Sequence, residues 1–468
     1  MVEGVKAGLR TRGLWFVLVL AGCELSMPLG DLSARADADA DADSDSGADA
    51  DADTDTDVDA CSVGFDPEGC RVVIDAPPHE SIGGPIAAGD ALHTTSWTFT
   101  SLQADANGRL YAFFWWVSPD ELDAPEVPIS HLAWRTRASD EEAWSELRAV
   151  PGVTAEQLRD AECSSPSQAP LEFAATDDGY VHAFWRKNAS CRGGDIWYVE
   201  HAMFEEGAIA YREEMPIGCG GGRTLEMKDA LGLPDGEVLV AFLCGSEGRL
   251  QRFSCGCWEE STTVPEGNVE SQDDLQLVRV GGETWIVVRE KFIHDLWARR
   301  LDGPGDFLRV SDDGAVVGSS VPSVDSEGAL WVAWQSSSIP SNGVYIARLE
   351  DAAFEPATML PGGTTVVQAF DALDAPGRGP TILTEETFAV EGAEGEPNVV
   401  HDEFWIRSYA DGAWSPPVLA ASSVVEIDGV PVRHTASDLA VAAGRTWISY
   451  VTFVGGGEAY ALHVVEAP

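Results

Sequence analysis

The sequence is poor in basic residues and has no long apolar stretch near its N terminus. Its 468 residues include 29 Lys and Arg against 78 Asp and Glu, a formal net charge of −49. So acidic a chain repels nucleic acid and anionic membrane surfaces, and we expect no nucleic-acid partner. The apolar run at residues 13–20 is far shorter than the roughly 20 residues that a membrane-spanning helix needs.

Familiar catalytic motifs are also missing. The sequence has no Gly-x-Ser-x-Gly elbow, no His-Glu-x-x-His pair and no phosphate-binding Walker loop. The nine histidines show no metal-ligand spacing. The glycine-rich stretch at residues 218–223 precedes no helical pattern, so it is not expected to cradle phosphate. The sequence therefore predicts no catalytic residue, no metal site and no tightly bound cofactor.

The N terminus has the features of an export signal. A basic segment (residues 1–12) precedes the apolar run, and Leu20-Ala21-Gly22-Cys23 follows it. This ending resembles the lipobox of bacterial lipoproteins, in which the cysteine is acylated and becomes the new N terminus. The resemblance implies a signal peptide over residues 1–22 and a lipid on Cys23 that holds the chain on a bacterial membrane. We expect the outer membrane or the cell surface; an ordinary signal peptide is the alternative.

An acidic low-complexity segment follows the signal. Eleven aspartates occupy alternate positions over most of residues 37–59, with no aromatic residue among them. Such a segment cannot bury enough apolar surface to fold, and its like charges extend it. We therefore predict a disordered stalk over residues 23–60, with weak Ca²⁺ association as the only cation chemistry.

Eight cysteines remain after Cys23, an even number that suggests disulfides in an exported chain. We expect a bond between Cys61 and Cys70, which would attach the stalk to the first strand of the folded domain. Cys255 and Cys257 are too close in sequence to pair comfortably with each other. We expect them to bond to Cys219 and Cys244 in some order, with a zinc site as the disfavoured alternative. The full set of candidates is Cys61, Cys70, Cys163, Cys191, Cys219, Cys244, Cys255 and Cys257.

A repeated unit runs through residues 61–468. In each copy a polar turn ends in glycine and a strand of bulky residues follows; the glycines are Gly108, Gly179, Gly236, Gly282, Gly328, Gly379 and Gly444. Their spacing averages about 56 residues, close to one four-stranded propeller blade with loop insertions. The strands are apolar on both faces, as in sheets packed between two layers. We predict an all-β propeller of seven blades, with six as the alternative, and residues 70–75 as the strand that closes the ring.

A second motif lies between these strands. Residues 139–145 and 408–415 each combine serine, aspartate and a terminal Trp-Ser pair. They resemble, in degenerate form, the Asp-box or BNR repeat of sialidase-like propellers. In that family the motif is structural, because its polar residues cap a hairpin turn and its tryptophan packs between sheets. Sialidases also hold a carboxylate with three arginines, the first in an early Arg-Ile-Pro motif. That motif is missing here, so the resemblance implies the fold more than the activity.

The position seven residues after each turn glycine carries the candidate binding residues. Equivalent strands place these residues at one end of the central channel, where propeller ligands generally bind. The polar or aromatic members, which we predict to contact a ligand, are Trp115, Arg186, Arg289, Gln335 and Glu386. Arginine and glutamate there could also pair with one another simply to solvate the channel mouth.

The sequence thus favours a membrane-anchored extracytoplasmic propeller that acts as a binding or adhesion module, with a glycan or a protein as its ligand. A sialidase-like hydrolase or lyase and an envelope assembly scaffold are the alternatives. Fold resemblance alone does not decide among them.

Overall fold

The computed structural model describes residues 91–93, 100–117, 130–139, 143–154, 171–188, 197–217, 219, 225–264, 272–291, 294–303, 305–311, 316–325, 327–336, 343–360, 365–370, 380–390, 399–410, 413–427, 430–431, 438–442, 444–454 and 459–466. All of these belong to the unit Val58–Pro468. The predicted lipidation site Cys23, the predicted stalk, and the cysteines at positions 61, 70, 163 and 191 lie outside the described residues.

The described residues are almost entirely β-strands. In the first part of the chain these are β1 (Ala91–His93), β2 (Thr100–Ala104), β3 (Leu110–Val117), β4 (Ser130–Arg137), β5 (Arg148–Thr154), β6 (Leu171–Ala175), β7 (Val181–Asn188), β8 (Trp197–Glu205), β9 (Ala208–Met215), β10 (Leu225–Gly232), β11 (Val238–Cys244), β12 (Glu247–Ser254), β13 (Cys257–Trp258) and β14 (Thr262–Thr263). A short 3-10 turn, Pro234–Gly236, separates β10 from β11.

The second part continues the pattern. Its strands are β15 (Gln272–Val280), β16 (Glu283–Glu290), β17 (Leu296–Arg300), β18 (Leu308–Arg309), β19 (Val316–Val324), β20 (Leu330–Ser336), β21 (Gly343–Glu350), β22 (Ala353–Phe354), β23 (Thr358–Met359), β24 (Thr365–Phe370), β25 (Thr381–Val390), β26 (Val399–Ala410), β27 (Ala413–Trp414), β28 (Val418–Ile427), β29 (Val430–Pro431), β30 (Asp438–Ala442), β31 (Arg445–Val454) and β32 (Ala459–Glu466). No helix in the described part of the chain is long and apolar enough to span a membrane.

Hydrogen bonding joins the described strands into six antiparallel sheets. Sheet 1 contains β30, β31, β32 and β1 to β5; sheet 2 contains β6 to β9; sheet 3, β10 to β14; sheet 4, β15 to β18; sheet 5, β19 to β23; and sheet 6, β24 to β29. The first strands β2, β6, β10, β15, β19, β24 and β30 contact one another in a closed cycle. This is a β-propeller, which confirms the fold class that the repeats predict.

Sheet 1 explains why seven sequence repeats give six sheets. It holds both the first repeat (β2 to β5) and the last (β30 to β32), joined by strand β1. β1 pairs with β32 over three residues but with β3 only through His93 and Val117. The two halves also pack face to face through Leu102 and Trp447. Hydrogen bonding therefore gives the alternative count of six; seven separate sheets are not shown.

Strand β1 joins the last repeat to the first within the described residues, and the predicted closing strand stays a prediction. Residues 70–75, which the sequence suggested for this role, lie outside the described residues. Ala91–His93 pairs antiparallel with Ala459–Ala461 of β32. The segment therefore supplies a further strand beside the last strand of the chain and covers an edge that would otherwise expose unpaired backbone groups.

The repeated glycines end tight turns between the first and second strands of the sheets. Six are described, and all have left-handed backbone angles, with φ from 72° to 93°: Gly108, Gly179, Gly236, Gly282, Gly328 and Gly444. A side chain at such a φ strains the backbone, which is why glycine recurs there. The seventh, Gly379, lies outside the described residues.

An aspartate three residues before the glycine stabilises two of these turns. In sheet 5, Asp325 Oδ1 accepts hydrogen bonds from the backbone N–H groups of Glu327 (3.0 Å) and Ala329 (2.8 Å). Its Oδ2 accepts from Trp331 Nε1 (2.9 Å) and Arg348 Nε (3.2 Å). Asp325 is only 3% exposed, so this buried carboxylate is held by four donors at once.

Sheet 1 contains a turn that is stabilised by an aspartate in the same way. Asp105 Oδ1 accepts from the backbone N–H groups of Asn107 and Arg109, each at 2.9 Å. Its Oδ2 accepts from the Tyr111 hydroxyl (3.5 Å), which itself accepts from the N–H of Gly207 in sheet 2 (3.0 Å). Burial raises the pKa of Tyr111 to about 12, so the hydroxyl keeps its proton. The turn and the junction between sheets 1 and 2 therefore stabilise each other.

The two Trp-Ser pairs stabilise a second kind of turn. Ser145 Oγ accepts from the N–H of Thr136 (2.9 Å), and Ser415 Oγ accepts from the N–H of Ser408 (3.0 Å). The preceding tryptophans pack against neighbouring parts of the ring: Trp414 contacts Trp331 of sheet 5, and Trp144 joins the cluster between the halves of sheet 1. Serine and tryptophan thus have structural roles at both sites.

The cysteine pairing differs from the sequence prediction. Cys219 bonds to Cys244, with 5.5 Å between their Cα atoms, and Cys255 and Cys257 are free thiols. The physical reason is the register of sheet 3. Leu225 at the start of β10 lies opposite Cys244, which brings the loop containing Cys219 to that end of β11. Cys255 lies in the turn that follows β12, beside Ser254, which bonds to Glu237 at the opposite end of β11. The expected bonds from Cys255 and Cys257 to Cys219 and Cys244 are wrong.

We expect Asp325→Ala to lower the free energy of unfolding by about 3 kcal/mol, because it leaves buried donors of Trp331 and Arg348 without their acceptor. Glu327→Ala is the matched control: Glu327 pairs with the same Arg348, but its side chain is 76% exposed. It should cost less than about 1 kcal/mol. Urea denaturation measures both, and equal losses in the two variants would contradict the assigned role of Asp325.

The double variant Cys219→Ser/Cys244→Ser should lose about 3 kcal/mol of stability, since the bond closes a loop across a separation of 25 residues. Cys255→Ser, in an exposed turn, should have little effect. Alkylation of the native protein followed by peptide mapping should recover one peptide linked through Cys219 and Cys244. A linked peptide containing Cys255 or Cys257 would refute this pairing.

Candidate functional site

The second strand of each sheet ends at the edge where the first strand begins, because the two strands are antiparallel. In sheet 4, Gln272 at the start of β15 lies opposite Glu290 at the end of β16. The same relation holds in sheet 3, where Leu225 lies opposite Cys244. In sheet 6, Thr365 at the start of β24 lies opposite Glu385, and β25 continues for five residues beyond it. We refer to this side of the ring, formed by the starts of the first strands and the ends of the second strands, as the start edge.

All five predicted binding residues lie on second strands near the start edge: Trp115 on β3, Arg186 on β7, Arg289 on β16, Gln335 on β20 and Glu386 on β25. In each sheet, one residue of the second strand pairs with the residue that begins the first strand. Each predicted binding residue lies one position away from that paired residue. The backbone thus places them equivalently. The side chains of Trp115 and Arg186 lie outside what the structure describes.

Gln335 and Glu386 belong to facing sides of neighbouring sheets. Trp331 and Ala333, four and two residues before Gln335, pack against Ile382 of sheet 6. Because side chains alternate along a strand, Gln335 lies on the same face as Ala333, and Glu386 on the same face as Ile382. The junction between sheets 5 and 6 therefore receives both residues near the start edge. Both are half-buried.

Sheet 6 adds further polar groups to this junction. Glu403 lies opposite Glu386 in the register, and Arg407 lies opposite Ile382 on the same face. Arg407 is 5% exposed, and burial lowers its pKa, while the charge of Glu386 opposes that shift. Trp405 lies between Glu403 and Arg407 along the same face, opposite Thr384. We call Gln335, Glu386, Glu403, Trp405 and Arg407 the polar junction.

Arg289 belongs to a different junction. It lies opposite Asp274, and the two share the face of sheet 4 that carries Val287, which packs against sheet 5. Gln335 is on the other face of sheet 5, because neighbouring Trp334 is the residue that packs toward sheet 4. The structure therefore does not bring Arg289 together with Gln335 and Glu386. Asp274 and Arg289 instead form a cross-strand pair in the junction between sheets 4 and 5, on the other side of sheet 5 from the polar junction.

Among the described carboxyl groups on the first strands, Asp229, in the middle of β10, has the most strongly raised pKa. It follows an irregularity in β10 between Met227 and Asp229, and its oxygens accept from the backbone N–H groups of Ala230 (2.8 Å) and Leu277 (2.5 Å). Leu277 belongs to β15, so this carboxyl links the first strands of sheets 3 and 4. Burial raises the pKa of Asp229 to about 7, and the negative charge of Asp274 adds to the increase.

Sequence patterns did not identify Asp229, Asp274, Glu403 or Arg407. For the two aspartates the available signal was an acidic residue within a first strand that alternates polar and apolar residues irregularly, as in LEMKDALG (225–232) and QDDLQLVRV (272–280). Its meaning depends on irregular registers, between Met227 and Asp229 and between Gln272 and Asp274, which local periodicity does not reveal.

Within the described residues, no group of three or more His, Cys, Asp or Glu side chains could hold a metal ion. This statement includes Cys219, Cys244, Cys255 and Cys257, for which zinc was the alternative to disulfide bonds. The calcium prediction concerns the acidic stalk and lies outside the described residues.

No protein-family model matches this chain, and no curated protein matches it. Among solved structures it is similar to the Hadza microbial sialidase Hz136 (TM-score 0.39, 10% identity, covering 80% of this chain and 66% of that one). It is also similar to the NanB sialidase of Streptococcus pneumoniae (0.37, 9%, 82% and 70%) and to a neuraminidase-like protein from A/bat/Guatemala/164/2009 (0.38, 12%, 83% and 93%). The chain spans slightly less than two thirds of the first of these. Such low identities transfer no functional residue.

The perturbed pKa of Asp229 predicts a specific dependence of stability on pH. The folded carboxyl keeps its proton up to about pH 7, whereas the unfolded one loses it near pH 3.8. Stability is therefore highest below pH 4 for this group and falls as the pH rises toward 7, by up to about 1.4 kcal/mol per unit. Asp229→Asn, which carries no charge at any pH, should remove this decline.

Thermal unfolding at pH 5 and pH 8 measures the effect as the difference between Asp229→Asn and the unsubstituted protein. Asp177→Asn is the control, because Asp177 is 72% exposed and forms only a surface pair with Arg279. If both asparagine variants keep the full pH dependence, the assignment of a raised pKa to Asp229 is wrong.

Proposed function

We propose that this chain is an exported binding module, anchored by lipid on Cys23 and held away from the membrane by its acidic stalk, that binds glycans at the start edge of its propeller. The observation that carries the proposal is the polar junction. Gln335, Glu386 and Arg407 occupy an interface between sheets that is elsewhere filled by apolar side chains. Polar groups retained in such a layer cost free energy unless they are paired, so their placement calls for a reason.

The chemistry of the polar junction suits a saccharide. Sugar hydroxyl groups both donate and accept hydrogen bonds, so they are bound well by amide, carboxylate and guanidinium groups side by side. Gln335, Glu386 and Arg407 supply one of each. Trp405, between Glu403 and Arg407, adds an aromatic face of the kind that packs against sugar rings.

Charge narrows the class of glycan. The chain has a formal net charge of −49, and the start edge contributes Asp274, Glu386 and Glu403. A negatively charged sugar would be repelled by this field, whereas neutral or amino sugars would not. We therefore propose neutral or basic glycans as ligands rather than carboxylate-bearing ones.

One observation favours a second candidate, glycan hydrolysis. Asp229, with a pKa raised to about 7, interacts with the charge of Asp274, and glycosidases pair a protonated carboxylic acid with an ionised carboxylate. Both oxygens of Asp229 are occupied by backbone N–H groups, which gives the residue a structural role as well. Binding remains the leading proposal because the polar junction does not depend on this pair.

A glycan array and titration calorimetry test the proposal on the exported chain carrying Cys23→Ser, which prevents lipidation. We expect binding of neutral or amino-sugar glycans, with affinity reduced about tenfold or more by Gln335→Ala and by Glu386→Gln, since each removes a hydrogen-bonding partner. Glu327→Gln, in an exposed turn at the opposite edge, should bind like the unsubstituted chain.

The same preparation separates the alternatives. Release of reducing sugar from a bound glycan, lost in Asp229→Asn, would favour hydrolysis. Failure of the chain to bind any glycan, or equal binding by all of these variants, would overturn the assignment of the polar junction as a glycan site.

A further inference from the structure

Two histidines are completely buried in the junction between sheets 2 and 3. His182 lies on β7 and His201 on β8, and both are 0% exposed. In most other repeats the position of His182, three residues after the turn glycine, holds a tryptophan, a tyrosine or an aliphatic residue, such as Trp331 or Leu239. A histidine pair at this point needs a physical explanation, because a buried polar ring must find partners.

The two rings form the end of a hydrogen-bonded relay. His182 Nδ1 lies 2.9 Å from His201 Nε2, and His201 Nδ1 lies 3.4 Å from Glu213 Oε1. The same Glu213 oxygen accepts a hydrogen bond from Trp258 Nε1 at 2.7 Å. Glu213 belongs to sheet 2 and Trp258 to sheet 3, so this carboxylate ties the histidine pair to the neighbouring sheet.

The partners determine which nitrogens carry protons. Glu213 only accepts, so His201 Nδ1 carries a hydrogen and His201 Nε2 is the acceptor for the hydrogen on His182 Nδ1. His182 Nε2 is then an unprotonated nitrogen. It is buried, and no residue described in the structure hydrogen-bonds to it. The relay is complete only when both imidazoles are neutral.

An added proton has no favourable position in this arrangement. If His201 became positively charged, His182 Nδ1 would have to accept the new N–H, and its own hydrogen would move to Nε2. That places a buried N–H without an acceptor among aromatic rings, since Phe253 lies against both histidines and Phe184 stacks on His201. Leaving a buried donor unpaired costs about 1–3 kcal/mol, in addition to burying the charge.

The surroundings offer one counter-charge. From β9 the side chains that face the pair are Glu213 and Tyr211, and from β13 they are Trp258 and Cys257, which interacts with Tyr211. Burial and Glu213 raise the pKa of Tyr211, so the phenol stays neutral. Strands β10, β11 and β12 contribute apolar groups to the same cluster, namely Met227, Val240, Phe242 and Phe253.

Glu213 alone does not compensate for burial of the imidazolium. Burial lowers the pKa of His182 well below its ordinary value, with the neighbouring His201 adding to the decrease. Burial also lowers the pKa of His201, although its hydrogen bond to Glu213 opposes the shift. Both rings are therefore neutral at neutral pH, and both take up protons when the protein unfolds in mild acid.

We propose that the Glu213–His201–His182 relay is an acid-sensitive latch, which keeps the junction between sheets 2 and 3 closed while both imidazoles are neutral and loosens it on protonation. The direction in which stability changes with pH follows from proton linkage. Below about pH 6.5 the unfolded chain binds protons that the folded chain does not, so stability falls as the pH falls. For each such histidine the unfolding constant rises by up to about tenfold per pH unit.

The test compares the pH dependence of unfolding in the unsubstituted chain with that in His182→Leu/His201→Phe. The latch predicts that the rise of the unfolding constant between pH 7.5 and pH 5 shrinks by at least tenfold in the double variant, whatever its stability at pH 7.5. His294→Asn is the matched control: His294 is exposed at a positive φ that asparagine tolerates, and its loss should leave the dependence unchanged.

Hydrogen exchange of the unsubstituted chain gives a second measurement that needs no variant. After correction for the intrinsic effect of pH, acidification should increase exchange in β8, β9 and β12 more than in β16 and β20 at the junction between sheets 4 and 5. Uniform exchange across both junctions, or an unchanged pH dependence in the double variant, would overturn the latch.

Discussion

Every sheet of this protein must be covered on both faces, because its second strand is apolar on both sides. In β11 all seven residues are buried, and in β20 six of seven. A sheet of this kind is stable only between two neighbours, so the sheets form a ring in which apolar clusters fill the junctions. The first and last repeats meet the same constraint by packing face to face through Leu102 and Trp447, while strand β1 pairs with the edge of the last repeat.

A ring of sheets that are each covered on both faces leaves few places for polar side chains. They lie at the turns, where Asp105 and Asp325 satisfy backbone N–H groups, or inside a junction, where every group must have a partner. The polar junction and the histidine latch are two of the places in the described residues where polar side chains interrupt the apolar layer, and the Asp274–Arg289 pair and Asp229 are others. The polar junction lies between sheets 5 and 6 and the latch between sheets 2 and 3, so the proposed ligand binding and the proposed acid sensitivity involve different residues.

The pairing register of the strands determines which side chains come together at the candidate site. Arg289 and Glu386 occupy the same place in their repeats, yet alternation and packing direct them to different junctions. The irregular pairing just before Asp229 and Asp274 positions these two carboxyl groups differently from a regular strand. Neither effect is visible in a repeat alignment, because a shift of one residue moves a side chain to the opposite face.

The sequence alone determined the repeat, the all-β class and the turn chemistry, because these depend on local patterns: a glycine that needs a left-handed φ and a strand of bulky residues after it. It also identified Gln335 and Glu386 as equivalent positions of their repeats, and their contact with a ligand stays a prediction. Only the tertiary structure decided the number of sheets, the strand that joins the last repeat to the first, the pairing of Cys219 with Cys244 and the contact between His182 and His201. Each of these joins residues that are distant in sequence, and their proximity depends on how whole strands align.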